Sequence, residues 1–97
     1  QQYSKIMKKR IDFVKEKLSL MPIDFYIPDG AMYFFVRVGK SKSVSEIIEK
    51  LLEMGVAVSP GVGFGSSYQD FVRISACQNL KVLREGLNII ESVLSSK

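Results

Sequence analysis

A chain of 97 residues, 46% apolar and 25% charged, has the size and composition of one soluble domain with a modest core. With no histidine and one cysteine, Cys77, it has neither the ligands for a zinc or copper site nor the partner for an internal disulfide. The net charge of +4 does not mark a nucleic-acid binder. Lys5, Lys8, Lys9, Arg10, Lys15 and Lys17 are diluted by Asp12 and Glu16, as on a solvated helix face or one turned toward another part of a larger protein.

In chain order, a first helix is expected from about Tyr3 to Leu20. Ile6, Phe13 and Leu20 form one heptad row, Met7, Val14 and Met21 a second, and Ile11 with Leu18 a third, together a wide apolar face. Pro22 and then Pro28-Asp29-Gly30 break the pattern and mark a turn. Met32 to Val38 is a nearly continuous apolar run rich in aromatic and valine residues, which predicts a mostly buried strand. Ser43-Val44-Ser45-Glu46 fits a capping box opening a second helix, with Val44, Ile47, Ile48, Leu51 and Leu52 on one stripe and Gly55 placed to end it.

Strands near 56–58 and 70–76 flank a loop with glycines at 61, 63 and 65. Asn79 then stands where it can cap a last helix whose Leu80, Leu83, Leu87, Ile90 and Leu94 share a face, with Gly86 weakening the middle. The order α-β-α-β-β-α predicts an α+β fold: a small, mainly antiparallel sheet of three to four strands covered by helices on one face. No apolar run is long enough to span a bilayer and no secretory signal opens the chain, so no membrane partner is expected; the single cysteine fits a reducing compartment, and a cytoplasmic protein is expected. The start at Gln1, close to a helical pattern, leads us to expect a piece of a longer protein.

Among groups able to carry chemistry, the glycine loop fails as a phosphate cradle. Its spacing matches neither dinucleotide nor P-loop fingerprints, and a strand follows it where a helix N-terminus would be needed. Gly63-Phe64-Gly65 with Phe71-Val72 shares part of an RNA-binding aromatic signature, but five residues separate the two parts and the chain opens on a helix. Ser59, Ser66, Ser67 and Ser75 have no evident base, and the ten acidic residues show no paired spacing, so no catalytic residue is expected. Cys77 reads as a small packing residue.

Arg73 stands out. Alternation puts Phe71, Arg73 and Ser75 on one face of the last strand, and Val72, Ile74 and Ala76 on the other. A five-donor guanidinium on a half-buried strand pairs with a surface carboxylate such as Asp70, or it recognises a carboxylate or phosphate ligand. Tyr33, Phe35, Phe64 and Tyr68 are equally suited to wall a pocket beside it or to fill core.

Three segments in order resemble the C-terminal small domain of class I/II (fold-type I) aminotransferases. Pro28-Asp29-Gly30-Ala31-Met32-Tyr33-Phe34-Phe35 is similar to the family's P-x-G-A-[FM]-Y-[LF]-[FL] strand. Gly55 to Gly65, reading GVAVSPGVGFG, resembles its G-V-A-V-x-P-G-x-x-F-G stretch, and Phe71-Val72-Arg73-Ile74-Ser75 its [FY]-[VI]-R-[LI]-[SA] strand. The opening helix is similar too, although Lys9-Arg10-Ile11-Asp12 departs from the two adjacent arginines more common there.

The resemblance implies that residues 1–97 form one small domain of an enzyme that moves an amino group between an amino acid and a 2-oxo acid. Its cofactor would be pyridoxal phosphate, bound mainly by a large domain absent from this chain. Arg73 would fork onto the substrate's α-carboxylate. Gly30 and the loop through Phe64 would help seat the small domain over the site. The intact enzyme is expected to be a homodimer with no nucleic-acid partner. The 97 residues alone are expected to be inactive and prone to self-association. The alternative from the residues themselves is a stand-alone α+β binding module for carboxylate or nucleic-acid ligands, or a structural domain whose Arg73 pairs with Asp70.

Overall fold

In a computed structural model of the chain, residues 5–21, 23–28, 32–39 and 41–95 are described, with the side chains of 41–43, 64 and 95 outside that description. Helix α1 (Lys5–Ser19) is followed by strands β1 (Phe25–Tyr26) and β2 (Tyr33–Arg37) and helix α2 (Ser41–Glu53). Strand β3 (Val58–Pro60), two 3-10 turns (Gly61–Phe64 and Ser66–Tyr68), strand β4 (Phe71–Ser75) and helix α3 (Leu80–Ser95) complete the order. The strands form one four-stranded sheet in the order β1-β2-β4-β3, antiparallel at every pairing. This is the expected α+β architecture. The additional strand, β1, has two residues, too few for alternation to register in a sequence.

Side-chain alternation divides the sheet. Phe34, Val36, Val72 and Ile74 point to the helices and are at most 2% exposed. They join Val14 and Leu18 of α1, Ile47 and Leu51 of α2, and Leu83, Leu87 and Ile90 of α3 in one apolar cluster. Burial of such side chains, at roughly 1.5–3 kcal/mol each, is the main force holding the layers together. Among the described residues no helix is long and apolar enough to cross a membrane.

The helix ends follow local chemistry. Gly55 adopts φ +82°, Val56 N–H donates to Leu51 O at 2.9 Å and Gly55 N–H to Leu52 O at 2.9 Å. This paired closure needs a left-handed residue, which glycine supplies at low cost. Asn79 caps α3 as expected, its Oδ1 accepting from Val82 N–H at 2.9 Å.

Several expectations shift. The buried stripe of α1 is narrower than the heptad rows suggest, consisting of Met7, Ile11, Val14 and Leu18; Ile6 is 63% exposed and Leu20, past the helix end, 79%. Leu52 and Leu80 are likewise exposed, because each helix rests on its neighbours by one stripe only. Helix α2 starts at Ser41, which puts Ser43 inside the first turn rather than at the cap. The third strand lies at Val58–Pro60, not 56–58, because Val56 is drawn under the end of α2 and is 1% exposed. As β3 is an edge strand, Pro60 leaves no ladder partner unserved.

Candidate functional site

The sheet face turned away from the helices carries Tyr33, Phe35 and Arg37 of β2, Ser59 of β3, and Phe71, Arg73 and Ser75 of β4. Register sets Arg73 directly between Phe35 on one side and Ser59 on the other. The Arg73 Nε–H donates to Ser59 Oγ at 3.2 Å, and the guanidinium carbon lies 5.1 Å from the centroid of the Tyr33 ring. A hydroxyl at the side and an aromatic face beneath restrict the guanidinium in two directions. The side chain is half-buried, as alternation on β4 predicts.

Asp70, the carboxylate weighed as Arg73's partner, is taken by another cation. Its Oδ2 lies 3.5 Å from Arg37 Nη2, while Arg37 Nη1 reaches Asp24 Oδ2 at 3.3 Å. Backbone bonds from Arg37 N–H to Asp24 O and from Val38 N–H to Asp70 O brace the same corner. Asp70 precedes β4 at the end where Arg37 pairs with Phe71, two cross-strand positions from Arg73. The ion pairs are solvent-exposed and contribute little beyond local order.

Beside Arg73 the open face dips into a recess of about 370 Å³. Met32, Tyr33, Leu52, Ala57, Val58, Ser59, Ser75 and Cys77 line it with Arg73, which among the described residues is the one charged side chain in that lining. An apolar-walled hollow with a single cation and neighbouring hydroxyls suits a small organic acid. Tyr33 belongs to this wall. Phe35, 4% exposed, instead stacks on Tyr68 at 5.0 Å and meets Tyr33 edge-on at 5.7 Å, forming a small aromatic core next to the recess.

That aromatic core explains one loop glycine. A Cβ at Gly61 would lie 2.8 Å from Tyr68 O and 2.9 Å from both Phe71 Cβ and Phe71 O. The two 3-10 turns therefore fold back against the start of β4 only with glycine at 61. Gly30 lies outside the described residues, as does the side chain of Phe64, whose backbone closes the first turn.

One residue departs from its sequence reading and another gains a role. Cys77 is not a packing residue; it is exposed at the edge of the recess, since the strand ends at Ser75 and the chain turns there, Cys77 N–H donating to Ser75 Oγ at 3.1 Å. Ser59, which has no evident base in the sequence, is the hydroxyl on Arg73. Alternation alone could not find it, because the pairing depends on the β3–β4 register.

Comparison with known proteins gives this geometry a context. The family model described as aminotransferase class I and II matches residues 1–90. An LL-diaminopimelate aminotransferase from Maridesulfovibrio salexigens is 34% identical over 93 residues, covering 95% of this chain and 24% of the relative. An aspartate aminotransferase from Thermotoga maritima is 37% identical over 90 residues, covering 93% of this chain and 23% of the relative. Among solved structures, an aromatic aminotransferase from Pyrococcus horikoshii superposes with a TM-score of 0.76 at 33% identity, over 95% of this chain and 25% of that one. The chain thus spans about a quarter of the length of the relatives it matches.

Proposed function

The chain belongs to the class I and II aminotransferase family, and on that premise we propose that it forms the C-terminal small domain of an aminotransferase whose Arg73 grips the substrate's α-carboxylate. The substrates are an amino acid and a 2-oxo acid, which share that carboxylate whatever their side chains. The observation that carries this reading is the half-buried Arg73 guanidinium, braced by Ser59 and Tyr33 beside a recess of small-molecule size. A bidentate fork onto a planar carboxylate fixes both position and rotation, where a lysine would fix position alone. Orienting the substrate before the bond to be broken is strained is worth several kcal/mol of barrier in well-aligned systems.

Enzymes of this family generally depend on pyridoxal phosphate, which supplies an electron sink for moving the amino group. Among the described residues, the recess lining contains no lysine to join the cofactor's aldehyde and no carboxylate to face its ring nitrogen. These residues suit the substrate rather than the cofactor. A large domain outside this chain holds the cofactor in our reading, and the assembled enzyme is a homodimer. The 97 residues alone are then inactive.

The test is an absorption spectrum of the full-length protein with pyridoxal phosphate, before and after aspartate, alanine, tyrosine or diaminopimelate is added. We expect a visible band from bound cofactor that bleaches with one or more of these amino acids. A full-length protein that takes up no cofactor would remove the aminotransferase reading and leave a stand-alone binding module.

A further inference from the structure

We infer that Ser59 is a positioning residue for Arg73, setting which edge of the guanidinium meets the substrate carboxylate. The inference rests on the carboxylate-binding role proposed above and adds a residue to it.

An arginine offers a carboxylate two forks, one along the Nε and Nη edge and one across the two Nη nitrogens. The Ser59 hydroxyl accepts from Nε at 3.2 Å and so occupies the first edge. Ser59 is the cross-strand neighbour of Arg73, so a rigid ladder rather than a loop holds its hydroxyl there. The Tyr33 ring, 5.1 Å from the guanidinium carbon, limits tilt out of the plane. With side and face both set, a carboxylate in the recess is met by the Nη end.

The hydroxyl itself does not touch the substrate in this arrangement. It acts through Arg73, by making the orientation seen before binding the one needed after it, which lowers the ordering cost of binding. Loss of the hydroxyl leaves the charge but removes the bond that sets the Nε edge. The effect should therefore fall on substrate binding more than on turnover.

Threonine and valine at position 59 have the same shape and the same preference for strands, and differ by the hydroxyl alone. The experiment measures KM and kcat in the full-length enzyme for Ser59→Thr, Ser59→Val and Arg73→Ala. The substrate is whichever of aspartate, alanine, tyrosine and diaminopimelate the unaltered enzyme turns over best. We expect Ser59→Val to raise KM about tenfold, the scale of one hydrogen bond to a charged group, with kcat changed less than KM. Ser59→Thr should stay within about twofold of the unaltered enzyme, and both variants should unfold at the same temperature.

Equal KM values for the valine and threonine variants, with Arg73→Ala still severely impaired, would overturn the role of Ser59 and leave that of Arg73 standing. An Arg73→Ala enzyme with unchanged kcat/KM, or a full-length protein active on none of the four amino acids, would overturn both.

Discussion

The two faces of this sheet use the same strands for opposite purposes. Toward the helices, Phe34 and Val72 are fully excluded from water. One residue along on each strand, Tyr33 and Arg73 look out over a recess and remain half-exposed. A single-residue slip in register would exchange the faces, placing a guanidinium in the core and aliphatic side chains in the site. The fold is therefore specified by one parity of the strands and the candidate site by the other. Substitutions should separate cleanly into those that cost stability and those that cost substrate recognition.

The largest effect should come from the covered face. Phe34→Ala should lower stability by about 3–5 kcal/mol in urea denaturation, because the ring is fully buried and its neighbours cannot close the gap. Comparable losses from Phe34→Ala and Tyr33→Ala would break the comparison. Gly61→Ala should come next, at about 1–3 kcal/mol, since its Cβ meets two backbone oxygens that cannot move independently of β4 and the turn. Asn79→Ala should cost about 1 kcal/mol by removing the α3 cap, read by the same denaturation. Gly86→Ala should have the opposite sign. The nearest side-chain atom to a Cβ there is Leu51 Cδ2 at 3.5 Å, so the methyl fits and α3 gains roughly 0.5–1 kcal/mol. A loss of stability in Gly86→Ala would show that the interface between α2 and α3 is tighter than these distances state.

What could be read in the sequence was local or periodic. Gly55 and Asn79 announce helix ends through chemistry confined to a few neighbouring residues, and both do what was expected of them. Alternation across 71–76 separated Arg73 from Val72, Ile74 and Ala76, and burial shows that the latter three face the core. What depended on partners distant in sequence was missed or misplaced. Ser59 gains its meaning only from register, fourteen positions away from Arg73. Asp70 is adjacent in sequence to the candidate site, yet Arg37, thirty-three positions away, is the cation that reaches it. The exposure of Ile6 and Leu20 follows from how narrow a stripe α1 presents to its neighbours, which no property of the helix itself reveals. Family resemblance, carried by motifs rather than periodicity, supplied the functional context that spacing alone left open.

The central claim is that Arg73 recognises the one group all the substrates share. The most direct measurement is kcat/KM of the full-length enzyme and its Arg73→Ala variant across amino acids with different side chains, with the unfolding temperature of each protein. The account predicts a loss of about 2–5 kcal/mol in transition-state binding, of similar size for every substrate, with stability changed by less than about 1 kcal/mol. A loss confined to one kind of side chain, an unchanged kcat/KM, or a variant that fails to fold would contradict it.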